Sequence, residues 1–111
     1  MHEFGIAQEV VAIAEERASG RRVTRVVLEV GKLSGVLPDA VRFCFDVCAE
    51  DTVVAGAVLE IIETPGLGRC RTCGADVPLT RPFGQCACGN TDLEWIAGDE
   101  LRVRELELID V

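Results

Sequence analysis

Two stretches near the start of the chain have the hydrophobic spacing of helices. Apolar residues recur every three or four positions in the first stretch, which predicts a helix from about His2 to Ala18; they are Ile6, Val10, Ile13 and Ala14. Pro38 suits the first turn of a second helix. The apolar stripe predicted for this helix consists of Val41, Cys44, Val47 and Cys48. We interpret Cys44 and Cys48 as core residues, because cysteine within an apolar stripe behaves as a small hydrophobic residue.

Three other stretches have the composition of strands. Residues 23–30 are rich in β-branched side chains, and residues 57–63 and 101–111 also indicate strands. In the last of these, the apolar positions change phase near Arg104 and Glu105, which predicts a bulge. The order of elements predicts an α+β fold in which a small three-stranded sheet carries two helices on one face.

The segment between the second and third predicted strands breaks this pattern. Residues 68–96 contain four of the six cysteines and few aliphatic side chains, so they cannot bury an ordinary core. We therefore expect an inserted, zinc-ribbon-like subdomain over residues 68–96 that is stabilised by a metal. Residues 1–67 and 97–111 are expected to form the surrounding, discontinuous α/β domain.

Length, charge and composition exclude several classes of protein. The chain has 111 residues, 49% of them hydrophobic, which suits one domain or one domain with an insert and excludes a multidomain enzyme. A formal charge of −8 and an aromatic content of 5% disfavour nucleic-acid binding. No apolar run approaches the roughly 18 residues of a membrane span, so we expect a cytoplasmic protein that does not contact membranes.

The cysteines of the insert have the spacing of a metal site. Cys70 and Cys73 are followed, twelve residues later, by Cys86 and Cys88. Four thiolates surround Zn²⁺ tetrahedrally and leave no open position for a substrate, so the spacing predicts a structural zinc site. Two disulfides, free thiols or a rubredoxin-like iron centre are alternatives, and a reducing cytosol favours metal ligation over disulfides.

The amino terminus offers nitrogen ligands for a second metal. The terminal amine of Met1, the amide nitrogen of His2 and the His2 imidazole can chelate one ion in fused rings, a set that suits Ni²⁺ or Cu²⁺. Glu3, water or a carboxylate such as Asp39 can fill a fourth position. The alternative is that His2 is an ordinary residue at the start of a helix, without a metal.

Taken together, these segments resemble the HypA and HybF family of nickel-incorporation metallochaperones for hydrogenase. The resemblance covers the whole chain. It lies in the segments Met1-His2-Glu3, EVGKLSGV at 29–36, GAVLE at 56–60, the cysteine array at 70–88 and GDEL at 98–101. The family pattern has two intervening residues in the second cysteine pair, whereas this chain has one, and Gln85 stands where the first of those cysteines would be.

The resemblance implies that the chain is a nickel carrier and not an enzyme. It places Ni(II), as transient cargo, on Met1 and His2 with Glu3 assisting, and structural Zn(II) on Cys70, Cys73, Cys86 and Cys88. The expected partners are a nickel-handling GTPase of the HypB type and the large subunit of [NiFe]-hydrogenase; in some organisms urease maturation proteins are partners too. The α/β domain would then be the nickel-binding domain.

Three other functions are alternatives to nickel delivery. An enzyme is disfavoured because the chain has one histidine, no tyrosine and no recognisable pair of nucleophile and base. A zinc-ribbon nucleic-acid module is disfavoured by the negative charge. A structural zinc-ribbon adaptor that does not deliver nickel is the main alternative, and it differs only in the role of the amino terminus.

Overall fold

Two helices and two small sheets make up the described residues, 3–110, of a computed structural model of the chain. In chain order the elements are α1 (Glu3–Ala18), β1 (Arg22–Gly31), α2 (Pro38–Ala49), β2 (Val58–Thr64), β3 (Gly66–Cys70), β4 (Asp76–Leu79), β5 (Leu93–Ala97) and β6 (Leu101–Ile109). One sheet has the strand order β2-β1-β6, and the other has the order β4-β3-β5. The predicted α+β class is confirmed.

The described residues divide into two compact units. The first unit contains the described parts of Met1–Glu29, Val36–Ile62 and Arg102–Val111, and the second contains Val30–Gly35 and Glu63–Leu101. This division reflects packing within the chain. The predicted assignment of residues 68–96 to a zinc domain, and of the remainder to a nickel domain, concerns metal binding and stays a prediction.

Helix α1 buries a stripe of small and β-branched side chains. The buried residues are Ala7, Val10, Val11, Ala14 and Ala18, at the spacing of one helical face. The helix ends where Ser19 and Gly20 adopt left-handed backbone angles, with φ of 51° and 87°. The predicted helix started at about His2, which lies outside the described residues.

Helix α2 contacts α1, and its buried residues overlap only in part with the predicted stripe. Its buried residues are Val41, Phe45 and Ala49, and Phe45 is among the largest fully buried side chains of the chain. Cys44 and Cys48 are half-buried, whereas Val47 is 49% exposed. The predicted stripe was therefore wrong at Val47, because apolar residues lie on more than one face of α2 and periodicity alone leaves the buried face ambiguous.

Ion pairs link the three strands of the first unit. Arg25 on β1 pairs with Glu60 on β2 and, at 3.0 Å, with Glu107 on β6. Glu29, the buried polar residue of the core, is 7% exposed and pairs with Arg102 at 3.2 Å. Burial of a carboxylate is costly without a cationic partner, so Arg102 offsets that cost.

The second unit contains three strands that the sequence did not predict. Strand β3 pairs antiparallel with both β4 and β5, and Gly66 faces Leu79 while Arg69 faces Asp76. Glycine, proline and aspartate lower the strand propensity of these segments, so local sequence gives little sign of them. Tertiary pairing around the cysteines determines these strands instead.

Neither helix of residues 3–110 has the length and apolarity required to cross a membrane. The longer of the two, α1, has 16 residues.

Three glycines allow backbone segments of the second unit to approach closely. The Gly31 amide donates to the Glu100 carbonyl at 2.7 Å, and a Cβ atom at Gly31 would overlap the carbonyl of Gly98. A Cβ atom at Gly98, where φ is 101°, would lie 2.7 Å from the Pro65 oxygen and also overlap Gly66. Residues 31, 66 and 98 therefore have no room for a side chain.

We expect Gly31→Ala to destabilise the second unit by about 2 kcal/mol or more, because backbone must move to admit the methyl group. Trp95, the single tryptophan, lies on β5 in this unit, so its fluorescence during urea unfolding measures the loss. Gly5→Ala is the matched control. It lies in α1 with no atom within 4 Å of its Cβ position, and it should stabilise the helix by roughly 0.5–1 kcal/mol. Equal midpoints for Gly31→Ala and the parent would contradict the close approach.

Candidate metal centre

The four cysteines of the insert converge on one point in the structure. The sulfur atoms of Cys70, Cys73, Cys86 and Cys88 all lie within 4.8 Å of one another. The Cys73–Cys86 and Cys70–Cys88 sulfur separations are 3.5 and 3.6 Å. Four sulfurs at roughly 2.3 Å from a tetrahedral zinc ion are about 3.8 Å apart, so both the donor set and its dimensions fit this metal.

Two loops of similar construction bring the sulfurs together. The first follows β3, and its backbone closes where the Gly74 amide donates to the Cys70 carbonyl at 2.9 Å. The second closes where the Gly89 amide donates to the Cys86 carbonyl at 2.8 Å. Both glycines have positive φ, 76° and 96°, which L side chains rarely adopt. Each loop thus begins with a buried cysteine and ends with a glycine directly after an exposed one.

The second loop is one residue shorter, and the structure accommodates this in its turn. The closing hydrogen bond spans three residues in Cys86–Gly89 rather than the four in Cys70–Gly74. The Gln85 side chain adds a bond to the Gly89 carbonyl at 3.0 Å. The Cys86 sulfur therefore reaches the other three despite the shorter spacing of the second pair.

Three N–H groups donate to the Cys70 sulfur. They are the Asn90 side-chain amide at 3.3 Å and the backbone amides of Thr72 and Cys73, each at 3.4 Å. These bonds, led by that of Asn90, lower the pKa of Cys70 to about 6. Cys70 is therefore the cysteine best prepared to bind as a thiolate.

The two exposed cysteines hold their protons more tightly. The Ala75 backbone amide lowers the pKa of Cys73, but the Cys86 and Cys70 sulfurs outweigh it and raise this pKa to about 11. The Asn90 backbone amide likewise lowers the pKa of Cys88, and the sulfurs of Cys70 and Cys86 raise it. Hydrogen bonds between neighbouring sulfurs favour the neutral thiols, so full ionisation of the cluster requires a cation.

Cys86 differs from Cys70 in the hydrogen bonds that its sulfur receives. Among residues 3–110, no N–H group donates to its sulfur, whose hydrogen-bond partner is Cys73.

The predicted nickel residues are only partly within the described chain. Met1 and His2 lie outside it. Glu3 begins α1, and its carboxylate accepts a hydrogen bond from the Leu37 amide at 3.2 Å. This bond is the main reason that the pKa of Glu3 lies below its usual value. Glu3 is thereby held beside the start of α2, and Asp39 is exposed in the first turn of that helix.

Asn90 is a contributor to the cluster that the sequence analysis missed. Besides its bond to Cys70, its side-chain amide donates to the Asp92 carbonyl at 2.9 Å, and its side-chain oxygen accepts from the Asp92 amide at 3.2 Å. The sequence signal that could have identified Asn90 is an amide side chain two positions after the last cysteine.

Comparisons with known proteins point to one family. A family model described as "HypA: Hydrogenase/urease nickel incorporation, metallochaperone" matches residues 1–108. The hydrogenase maturation factor HypA of Nostoc punctiforme is 57% identical over 108 residues, which cover 97% of this chain and 96% of that protein. The HypA of Geobacter metallireducens is 50% identical over 109 residues, covering 97% and 99%.

Solved structures agree with these sequence matches in fold. The solution structure of the nickel metallochaperone HypA from Helicobacter pylori has a TM-score of 0.71 and 24% identity, with full coverage of both chains. A second solution structure, of a HypA protein, has a TM-score of 0.69 and 25% identity, and it covers 98% of this chain and 97% of that one.

Replacing the amide that supports Cys70 should weaken metal binding. We expect Asn90→Ala to lower zinc affinity by about 10–100-fold, the usual effect of removing a hydrogen bond to a metal ligand. Competition with a chromophoric chelator measures this affinity. Thr91→Ala removes the exposed neighbouring side chain, which forms no hydrogen bond among the described residues, and it should change zinc affinity little. Equal affinities of Asn90→Ala and Thr91→Ala would show that the bond to Cys70 does not matter for the site.

Proposed function

The chain belongs to the HypA family of hydrogenase/urease nickel-incorporation metallochaperones, and we propose that it binds Ni(II) at its free amino terminus and delivers the ion for [NiFe]-hydrogenase maturation. The observation that carries this proposal is the family match over residues 1–108, supported by relatives that share half or more of their residues with nearly the whole chain. The family is one of metallochaperones and not of enzymes.

The amino terminus has ligands that suit a site for transiently bound nickel. The terminal amine, the His2 amide nitrogen and the His2 imidazole form a nitrogen set that nickel accepts readily. We assign Met1, His2 and Glu3 to this site. A site at the end of a chain is open on one side, so an acceptor can approach the ion and exchange ligands with it.

The surroundings of Glu3 support an electrostatic role for it in this site. Its carboxylate accepts a hydrogen bond from the Leu37 amide, and this bond lowers the pKa of a carboxyl group that is already ionised at neutral pH. Glu3 therefore contributes a negative charge at the position that follows His2 in the sequence. Asp39, in the first turn of α2, adds a second one on the segment to which Glu3 is bonded.

The cysteine cluster is assigned a structural role with Zn(II). Cys70, Cys73, Cys86 and Cys88 would complete a four-coordinate shell, which leaves no position for an exchanging ligand. The bound ion would supply the charge that the crowded thiolates require. Its role is to hold the second unit together, and it is not the delivered metal.

The partners follow from the family's part in hydrogenase maturation. We propose a nickel-handling GTPase of the HypB type and the large subunit of [NiFe]-hydrogenase, with urease maturation proteins as further partners in some organisms. The cytoplasmic location expected from the sequence stays a prediction. A zinc-ribbon adaptor without nickel delivery is the alternative, and nickel binding by the untagged chain distinguishes the two.

Nickel binding should depend on His2 and on a free terminal amine. We expect the untagged, zinc-loaded chain to bind nickel with near-equal stoichiometry, and His2→Ala to lose this binding, while both retain the same zinc content. A Gly-Ser extension ahead of Met1 is a second variant, which keeps every side chain and displaces only the amine. Isothermal titration with zinc quantified by mass spectrometry measures both metals. Equal nickel binding by all three proteins, or by none, would favour the adaptor.

Nickel affinity should also weaken as the pH is lowered. Protons compete with nickel for the imidazole and the terminal amine, whose unperturbed pKa values are about 6.5 and 7.7. Between about pH 7.5 and about pH 5.5 both groups become protonated, so we expect the affinity to drop at least about a hundredfold. Titrations at the two pH values, with zinc content checked in each, measure this change. Unchanged affinity would rule out the proposed nitrogen ligands.

A further inference from the structure

The solvent-facing side of α2 carries apolar side chains that the fold does not use. Phe43 is 76% exposed and Val47 is 49% exposed. Residues four apart lie next to each other on a helix, so these two form one short apolar ridge. The same helix buries Val41, Phe45 and Ala49 on its opposite side. The ridge is therefore additional to the core packing of α2.

Carboxylates line this ridge. Asp39, Asp46 and Glu50 are exposed on the same side of α2, at helical spacing from Phe43 and Val47. Within residues 3–110, none of these three forms an ion pair, whereas Glu29, Glu60 and Glu107 on the sheet do. We call these five residues, Asp39, Phe43, Asp46, Val47 and Glu50, the α2 face.

No cation of the helix balances these charges. Arg42, the one basic residue of α2, donates to the Leu59 carbonyl at 2.6 Å. The last turn has no basic residue, and Glu50 and Asp51 follow it at the negative end of the helix dipole. Negative charge is unfavourable there, so a cation from outside would stabilise this end of the helix.

We propose that the α2 face docks a cationic amphipathic helix of another protein. The partner's apolar side chains would cover Phe43 and Val47, and its lysines or arginines would meet Asp39, Asp46 and Glu50. This is the arrangement in which an amphipathic helix lays its apolar side on a complementary surface. A second copy of this chain does not fit, because a symmetric contact between two α2 faces would bring six unpaired carboxylates together.

A designed peptide tests the proposal without requiring a natural partner. The probe is a leucine–lysine peptide of roughly four helical turns with one apolar side. Its matched control has glutamate at every lysine position. Both are titrated into the full-length, ¹⁵N-labelled, zinc-loaded chain, and amide shifts locate the contact while fluorescence anisotropy gives Kd. We expect the lysine peptide to shift amides of residues 39–51 and the glutamate peptide to shift none.

Substitutions then separate the apolar and electrostatic contributions. Phe43→Ala should weaken binding at least about fivefold, as expected for an exposed aromatic anchor. Asp46→Asn with Glu50→Gln should weaken it about fivefold at low salt and less at high salt. Glu9→Gln with Glu16→Gln removes the same charge from the exposed side of α1 and should leave Kd unchanged. Far-UV circular dichroism confirms that each variant is folded.

Three results would overturn the proposal. The first is a shift map centred outside residues 39–51. The second is an equal loss of affinity in the α1 control, which would indicate attraction to net charge alone. The third is concentration-dependent dimerisation that Phe43→Ala abolishes, which would assign the face to a second copy. Because none of the substituted residues is a proposed metal ligand, nickel and zinc binding should be the same in all variants.

Discussion

The convergence of four sulfur atoms is the constraint on which the second unit depends. Few side chains of this unit are buried, and two of those are Cys70 and Cys86 themselves. Glycine frees the backbone to form both cysteine loops, but it contributes no apolar surface. A tetrahedral ion bound by these sulfurs would join the loops that precede and follow β4, and so would replace a hydrophobic core that the segment is too small and too polar to build.

The two proposed metal sites differ in the property that their roles require. Four thiolates would satisfy every position of a tetrahedral ion, and the three N–H groups on Cys70 would stabilise the charged ligand, so exchange would be slow. At the proposed amino-terminal site, two backbone nitrogens and one side chain would bind nickel and would leave the ion open to an incoming ligand. Slow exchange suits a structural ion, whereas open coordination suits an ion that must be passed on.

Sequence reasoning predicted the features that depend on a single residue type or on a regular spacing of residues. Cysteine spacing identified the metal cluster, and the proline at position 38 marked the start of α2. It failed where several side chains could fill the same role. Both Phe43 and Phe45 could have been core residues, and only the tertiary fold shows that Phe45 is the buried one. Strands β3, β4 and β5 depend on pairing partners distant in sequence, so their local composition gave no indication of them.

Asn90 shows that sequence reasoning also fails to predict individual side-chain hydrogen bonds. An asparagine after a cysteine has many possible hydrogen-bond partners, and the folded loop is needed to aim its amide at Cys70. The bond changes the pKa of a residue twenty positions away, which no pattern of spacing encodes.

The net charge of the sequence does not show which charges are paired in the structure. A total of −8 describes the whole chain and favours cationic partners without locating any contact. In the first unit, arginines of β1 and β6 pair with three acids of the sheet, including the buried Glu29. The acids of α2 have no such partners, and they surround exposed apolar side chains. The charges of these three glutamates are therefore offset within the fold, whereas one helix face keeps both negative charge and apolar surface for recognition.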